Sequence, residues 1–257
     1  MKKYAFPFLA LFLLLSVCSC TTSKDFPSTG DFFFWMDGYL AAPRNSEWNL
    51  ALTYYTPPGK TSLFADNISE LSFVGIDKES VHISNFEIQD SSSGETFGYD
   101  SKIFYLTLSF GEAGIYKTNK IHVENLDGTE VDYKLGSWVF DVDQDSPSQS
   151  IINQEGSPYA SSNSNFFPIQ CRTLGSDPVI ASIQVGLDET DSFAADSEEL
   201  HKIPLYSDAP VVYVRPKIEV FSHNLQFIEY GNGCYCGALE IDDSDLQSTL
   251  AYIEADG

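Results

Sequence analysis

The sequence predicts an all-β protein with two β-sandwich domains joined by a polar linker and a short C-terminal helix. Three observations favour this fold class. Apolar and polar residues alternate along many short segments, a pattern typical of strands that bury one face. Clusters of turn-forming residues separate these segments at short intervals, as in β-sandwiches. Aromatic residues make up 14% of the 257 residues, and the chain contains only two methionines, a composition that suits sheets better than helices.

The order of these segments divides the chain into five ranges. Residues 1–19 indicate an N-terminal signal, and residues 20–31 indicate a short tether. Residues 32–143 carry the strands of the first sandwich. Residues 144–165 are polar and rich in Ser, Asn and Asp, which predicts a linker. Alternation resumes in residues 166–257, which we expect to form the second β-rich domain.

Three segments of the first domain show the alternation most clearly. Bulky apolar residues occupy the even positions of 48–54 and 104–110, and they do so again in 138–142. Because successive strand residues point to opposite faces, each segment is expected to bury its even-numbered side chains in one core.

The first domain also shows a hairpin signal and a bulge signal. The turn Leu126-Asp127-Gly128 precedes the alternating residues 131–135, which predicts a β-hairpin. Within the strand candidate at 81–88, the apolar parity changes between Ile83 and Phe86. Such a change predicts a β-bulge, because one extra residue moves the following side chains to the other face.

The second domain begins with an alternating segment and ends with a hairpin signal. Residues 179–187 are apolar at odd positions and predict a strand, with an acidic loop at 188–199. Residues 225–230 and 234–241 flank Gly231-Asn232-Gly233, which predicts a hairpin with Tyr230 opposite Cys234 and Ile228 opposite Cys236.

The C-terminus carries a helix signal. Ser244 precedes Leu246, Leu250 and Ile253, which recur at helical spacing. This pattern predicts a capped helix, although residues 249–253 equally fit a last strand.

A short motif carries a resemblance to a known family. Residues 112–116, Glu-Ala-Gly-Ile-Tyr, resemble the tyrosine corner of immunoglobulin-like domains. The resemblance implies that the Tyr116 hydroxyl bonds to nearby backbone and fixes the crossing between sheets. Thr118 stands where antibody domains have their second core cysteine, so only a disulfide-free relative is implied. The alternative is a glycine turn before an ordinary strand tyrosine.

The N-terminus resembles a bacterial lipoprotein signal. Two lysines precede an apolar run at 4–17, and Ser19 precedes Cys20, the residue expected to be lipidated. This resemblance implies a palmitoylated protein anchored to the outside of a bacterial membrane, in the outer membrane or at the cell surface. The alternatives are an ordinary secretory signal and an uncleaved N-terminal anchor.

The charge of the chain limits its partners. Fourteen basic residues stand against 37 acidic ones, a net charge of −23, and removing Lys2 and Lys3 with the signal gives −25. A field of this sign repels phosphate backbones, so a nucleic-acid partner is not expected. A basic protein partner fits the same field.

Three cysteines remain after the signal and its lipid site. Cys171, Cys234 and Cys236 are expected to be structural, with Cys171 bridged to Cys234 or Cys236. The alternative is a copper or zinc site on Cys234 and Cys236, with Cys171 or His223 as the third ligand. No second motif of matching spacing supports the metal.

The sequence predicts no cofactor, and it offers calcium as the alternative. Asp141, Asp143 and Asp145 have the alternating oxygen spacing of a calcium loop at the predicted start of the linker. Ser146 stands in place of the required glycine, and Ile152 in place of the bidentate glutamate. An EF-hand is therefore excluded, which leaves an interdomain calcium clamp or plain solvated acids.

The expected function is a non-catalytic binding or adhesion module. The sequence contains no metalloprotease, phosphate-loop or serine-elbow motif. A glycan stacked on Trp35 or Trp48, or a basic protein, is the expected ligand. The alternatives are an envelope carbohydrate hydrolase with unidentified carboxylates and a structural envelope subunit.

Overall fold

The protein is described by a computed structural model whose regular elements are strands apart from one short helix and one 3₁₀ turn among the described residues. It describes residues 30–60, 67–96, 98–144, 152–175, 177–187, 190–191 and 200–255. The strands, in chain order, are β1 (Phe32–Phe33), β2 (Met36–Pro43), β3 (Ser46–Thr56), β4 (Ile68–Phe73), β5 (Val81–Thr96), β6 (Tyr99–Phe110), β7 (Gly114–Asn125), β8 (Glu130–Asp143), β9 (Ile152–Asn153), β10 (Ala160–Ser161), β11 (Phe166–Ile169), β12 (Arg172–Thr173), β13 (Val179–Gln184), β14 (Thr190–Asp191), β15 (His201–Pro204), β16 (Val211–Arg215), β17 (Lys217–Ser222), β18 (Leu225–Tyr230) and β19 (Cys234–Cys236). A 3₁₀ turn at Ala238–Glu240 precedes helix α1 (Asp243–Glu254).

Three sheets form the body of the molecule. The outer sheet has the order β1-β3-β6-β5, and the shared sheet has the order β10-β19-β16-β2-β8-β7-β4. The distal sheet has the order β14-β13-β17-β18, and two further strand pairs are β11-β15 and β12-β9. The all-β sandwich predicted from the alternation is therefore confirmed.

The first sandwich has the strand order of an immunoglobulin-like domain. In such domains the strands A, B, E and D form one sheet, and C, F and G form the other. The outer sheet matches the first set in order, and β4-β7-β8 of the shared sheet matches the second. β1 pairs with β3 in the outer sheet, whereas the next strand, β2, runs parallel to β8 in the shared sheet. The chain therefore crosses from the outer sheet to the shared sheet between β1 and β2.

Tyr116 lies near the start of β7, the strand that corresponds to F. Its hydroxyl lies 3.2 Å from the carbonyl oxygen of Glu112 and donates to backbone there. A Cβ atom on Gly114 would lie 2.9 Å from the same hydroxyl. Glycine at position 114 therefore leaves the space that this tyrosine needs to reach back to the preceding loop.

The local irregularities of the first sandwich follow the sequence signals. The register of β5 against β6 shifts between Ile83 and Asn85, which confirms the bulge predicted there. β7 and β8 form a hairpin over the turn at 126–128, and Glu124 pairs with Glu130, which confirms the predicted hairpin.

The even-numbered residues of the predicted strands fill the first core. This core lies between the outer and shared sheets, and the Trp138 side chain is fully buried in it. Other members are Leu50, Leu52, Tyr54, Phe104, Leu106, Leu108, Phe110 and Phe140. Burial of these alternating side chains fixes the register, because a one-residue slip would expose all of them.

Strands from both sides of the predicted linker 144–165 belong to the shared sheet. β16 pairs in parallel with β2, from Val211 beside Met36 to Arg215 beside Leu40. All five residues of β16 are buried, as expected for a strand that is covered on both faces. The two halves of the chain are therefore joined through a sheet and not through the predicted linker alone.

The shared sheet separates two cores. Leu40 and Tyr213 point into the first core, whereas Tyr39 and Val212 belong to the second. The second core lies against the distal sheet and contains Ile218 among other apolar residues. The described molecule is therefore three-layered, with the shared sheet in the middle.

The hairpin predicted between 225–230 and 234–241 is wrong. β18 pairs with β17 across the two-residue turn His223-Asn224, whereas β19 pairs with β16 and β10. Both turn residues have positive φ, 52° and 63°, which is the geometry of a type I′ hairpin turn. The glycines of 231–233 serve close packing instead, since a Cβ on Gly233 would overlap the Tyr213 hydroxyl.

The predicted parity of 179–187 is also wrong in part. Ile180 and Ile183 are buried, while Val179 is 44% exposed. A register shift between Ile180 and Ser182 explains the difference, because the bulge moves the apolar face by one residue.

Helix α1 confirms the helical interpretation of the C-terminus. Asp242 is its N-cap, and Asp242 and Asp245 form a reciprocal capping box. Leu246 and Leu250 are buried in the first core. No helix among the described residues is long and apolar enough to cross a membrane. Cys20 lies outside the described residues, as does the whole predicted signal.

Candidate functional site

A cleft of about 580 Å³ opens where β2 begins. We call it the Trp35 cleft. It is lined by Trp35, Asp37, Asn165, Leu205, Tyr206, Ser207 and Asp208. A ligand pocket in proteins usually holds about 300–1,000 Å³, so this cleft has the size of a small-molecule site.

The Asp37 carboxylate holds the walls of the cleft together. One oxygen, Oδ1, accepts from the Trp35 indole Nε1 at 3.2 Å and from the Ser137 backbone N at 2.7 Å. The other oxygen, Oδ2, accepts from the Ser207 hydroxyl at 2.7 Å. One carboxylate on β2 therefore fixes the indole, β8 and the loop between β15 and β16.

The loop between β15 and β16 presents an exposed tyrosine. The Ser207 hydroxyl accepts from the Ala209 backbone N at 3.0 Å, which forms a tight local turn. The Leu205 backbone N donates to the Asn165 carbonyl at 2.8 Å, which holds the loop beside the segment before β11. Tyr206 lies between these two anchors and is 80% exposed. The loop is fixed while its aromatic ring faces solvent.

Trp35 is a fixed aromatic surface because its ring stacks on helix α1. The rings of Trp35 and Tyr252 are 4.5 Å apart and tilted by only 7°. The Trp35 backbone N lies 3.4 Å from the hydroxyl of buried Thr249. Lys134 donates to the carbonyl oxygens of Tyr252 and Ile253 and so caps the end of α1.

An apolar groove of about 230 Å³ continues the cleft along the shared sheet. It shares Asp37, Leu205, Tyr206 and Ser207 with the cleft. Its remaining wall is mostly aliphatic and includes Val139, Val185, Leu187 and Val212. The combined site has an aromatic and polar end and an apolar end.

Trp48, the other tryptophan predicted to bind a ligand, packs between the two halves of the chain. Its Nε1 lies 2.5 Å from the Tyr213 hydroxyl, and the Arg215 guanidinium lies 3.8 Å from its ring centre. This cation–π contact covers the indole with a buried arginine. A shallow hollow of about 220 Å³ beside Glu47 and Asn49 lies next to this indole.

Asp141 and Asp143, predicted as calcium ligands, both contact Lys217. The Lys217 Nζ lies 2.9 Å from Asp141 Oδ2 and 2.8 Å from Asp143 Oδ1. Tyr39 donates to Asp141 at 2.9 Å, and Tyr230 donates to Asp143 at 3.0 Å.

The Lys217 ammonium is the cation that these two carboxylates hold. Burial favours a lower pKa for Lys217, but its hydrogen bonds to Asp143 and Asp141 outweigh burial and raise the pKa. A calcium ion on these carboxylates would have to displace the lysine. Asp145 lies outside the described residues, and within the described part no three His, Cys, Asp or Glu side chains are grouped to hold a metal. Calcium therefore stays a prediction.

The predicted disulfide from Cys171 to Cys234 or Cys236 is wrong. All three cysteines are free and buried in the second core. Cys234 and Cys236 lie on the same face of β19, with 3.9 Å between their sulfur atoms. Burial raises the pKa of the Cys171 thiol to about 11, which is the environment of an inert core thiol.

Sequence reasoning singled out Trp35 but missed the residues around it. Asp37, Tyr206 and Ser207 belong to no motif, and Asp37 and Ser207 are 170 positions apart. The one usable signal is the aromatic residue in the polar stretch Tyr206-Ser207-Asp208, since loops with such residues often carry function.

No protein-family model matches the chain, and no curated protein matches its sequence. The chain is similar to solved structures of immunoglobulin-like domains. Titin domains Z1Z2 in complex with telethonin match 82% of this chain and 97% of theirs, at 12% identity and a TM-score of 0.25. A Bacteroides ovatus mixed-linkage glucan utilization locus protein, SGBP-B, in complex with a heptasaccharide, matches 75% of this chain and 42% of its own, at 14% identity and a TM-score of 0.23. The sialic acid binding region of a Streptococcus sanguinis adhesin matches 54% of this chain and 35% of its own, at 14% identity and a TM-score of 0.23. Likenesses at these TM-scores carry no inference about function.

Proposed function

We propose that this protein is a non-catalytic glycan-binding module of the bacterial cell envelope, anchored by lipid at Cys20, and that the Trp35 cleft binds the saccharide. The observation that carries the proposal is the pairing of two aromatic side chains with polar groups around one cleft. Trp35 and Tyr206 supply the aromatic surfaces, and Asp208 and Asn165 supply hydrogen-bonding groups beside them.

The chemistry of a sugar fits this arrangement. A pyranose ring has an apolar face of C–H groups and a rim of hydroxyls. An aromatic ring can pack against the C–H face, while carboxylate and amide groups bond to hydroxyls in the plane of the sugar. Trp35 is held on one side by Tyr252 and along its edge by Asp37, so binding would order few additional side chains.

The two carboxylates that line the cleft, Asp37 and Asp208, are assigned to binding in this proposal and not to catalysis. Both oxygens of Asp37 already accept hydrogen bonds from Trp35, Ser137 and Ser207, which makes this carboxylate a structural support. A glycosidase needs one carboxylate that delivers a proton and a second that acts at the sugar carbon. Binding is therefore the function that this cleft supports best.

The test is a matched pair of tyrosine variants. Tyr206→Ala removes an aromatic ring that is 80% exposed, so folding should be preserved. Tyr159→Ala removes a ring that is 73% exposed and does not line the cleft. On a glycan array and by titration with the glycans it identifies, Tyr206→Ala should weaken binding at least tenfold and Tyr159→Ala should not. Equal affinities for both variants would contradict this site.

The anchor is tested separately. Cys20→Ala in the full-length protein should shift it from the detergent phase to the aqueous phase, because the acyl chains are lost. The matched control is Cys18→Ala, which removes the other cysteine of the signal and should leave partitioning unchanged. A Cys20→Ala protein that still partitions into detergent would refute the lipid anchor.

A further inference from the structure

We infer that the Trp35 cleft takes neutral glycans and rejects those that carry carboxylate or sulfate groups. The inference rests on the proposed function and names the class of saccharide that the cleft accepts. It is carried by the charged residues in the described lining of the cleft, Asp37 and Asp208, which are both acidic.

The polar lining contains two carboxylates and no cation. Asp37 and Asp208 line the Trp35 cleft together with uncharged residues. The adjoining groove adds no charged residue to them. The described lining of both spaces therefore contains no Lys, Arg or His.

Neutral hydrogen-bond donors hold the Asp37 carboxylate in place. Its three described donors are an indole N–H, a backbone N–H and a hydroxyl. None of these described donors is a cation, and together they fix the position of the carboxylate in the wall. Asp208 is exposed at the rim and adds a second negative charge.

The lysine that contacts the aromatic stack does not line the cleft. Lys134 lies 5.3 Å from the centre of the Tyr252 ring, and its Nζ donates to the carbonyl oxygens of Tyr252 and Ile253. These bonds direct the ammonium to the end of α1, and Lys134 is not among the residues that line the cleft.

An anionic saccharide would meet these charges at short range. Two like charges 4 Å apart in water lower an affinity roughly fivefold, and the factor grows where water is excluded. The net charge of −23 adds a repulsive field at longer range. A neutral saccharide is subject to neither repulsion, and its hydroxyls can still donate hydrogen bonds to Asp208.

Five defined hexasaccharides test the inference. Cellohexaose, xylohexaose and mannohexaose are neutral, whereas hexagalacturonate and a hyaluronan hexasaccharide are acidic. In titrations with the signal-free protein in a buffer of about 10 mM ionic strength, where screening extends over roughly 30 Å, at least one neutral probe should bind. Both acidic probes should bind at least tenfold more weakly than that neutral probe.

Two results would overturn the inference, and they differ. An acidic probe that binds as tightly as the best neutral probe would overturn the selectivity while leaving the proposed function in place. If none of the five probes binds to the folded protein, the proposed function fails and the inference fails with it.

A charge variant identifies the residue responsible. Asp208→Asn should raise the ratio of the affinity for hexagalacturonate to the affinity for the neutral probe roughly fivefold. Asp100→Asn, an exposed carboxylate that does not line the cleft, is the matched control and should change neither affinity. An Asp208→Asn protein that still rejects hexagalacturonate to the same degree would contradict the inference.

Discussion

The Lys217 Nζ lies 2.8 Å from Asp143 Oδ1, and this ion pair joins the two halves of the chain. Lys217 is the first residue of β17 in the distal sheet, and Asp143 is the last residue of β8 in the shared sheet. The lysine side chain is only 13% exposed and the Asp143 side chain 20%. An ion pair this well shielded from water is strongly coupled to the packing around it.

Lys217→Met should destabilise the protein by about 3 kcal/mol, because it leaves two largely buried carboxylates without their cation. Urea unfolding of the signal-free protein measures the change as a lower midpoint.

The matched control for this variant is Lys102→Met. Lys102 pairs with Asp90, whose side chain is 87% exposed, so its loss should cost less than about 1 kcal/mol. Equal losses in the two variants would show that the Lys217 cluster is no more than a surface ion pair.

Alkaline pH should weaken the same cluster. The pKa of Lys217 is raised by its hydrogen bonds against the effect of burial, and the pKa of Tyr39 is raised by burial and by Asp141. A raised pKa means that the folded state binds the proton more tightly than the unfolded state. The stabilisation is therefore complete below the unfolded pKa values of about 10 and is lost as the pH rises above them.

Unfolding free energies measured between about pH 8 and 11 should show this loss. The unfolding free energy of the Tyr39→Phe variant should decline less steeply above pH 10 than that of the wild type, since the substitution removes one of the linked protons. A wild-type stability that stays constant to pH 11 would contradict the argument.

Asp37→Ala should loosen the cleft without unfolding the protein. It removes the acceptor of Trp35 Nε1, Ser137 N and Ser207 Oγ, at a cost of about 1–3 kcal/mol. Glycan affinity should fall at least tenfold, because the indole and the Tyr206 loop lose their common support. Asp37→Asn keeps one acceptor oxygen, so its glycan affinity should lie between those of Asp37→Ala and the wild type. Wild-type glycan affinity in the Asp37→Ala protein would show that Asp37 does not position the site.

Leu250→Ala should show that α1 belongs to the first core. Leu250 is 3% exposed, so truncation should cost about 2–5 kcal/mol in thermal or urea unfolding. Leu239→Ala is the control, because Leu239 is 66% exposed and its truncation should cost no more than about 0.5 kcal/mol. A neutral Leu250→Ala variant would mean that the helix is not packed on the core.

Several parts of the fold follow from the sequence because they depend on neighbours within a few residues. Alternation at 48–54 and 104–110 identifies strands and their buried faces, since side chains in a strand have a period of two. The change of parity at Ile83–Phe86 identifies the bulge, and the Leu-Asp-Gly turn at 126–128 identifies the β7–β8 hairpin. The helical spacing after Ser244 identifies α1.

The sequence by itself therefore determined several strands of the first sandwich, the position of one bulge and one hairpin, and the acidic charge of the chain, whereas β2 and β4 were not predicted from it. Only the tertiary structure decided that β16 pairs with β2, that β18 turns back on β17, and that Asp37 reaches Ser207 across 170 positions. A strand's own pattern does not specify its partner, because every strand offers the same backbone donors and acceptors. The partner is selected by how whole sheets bury their faces, and the Trp35 cleft exists only where three such segments meet.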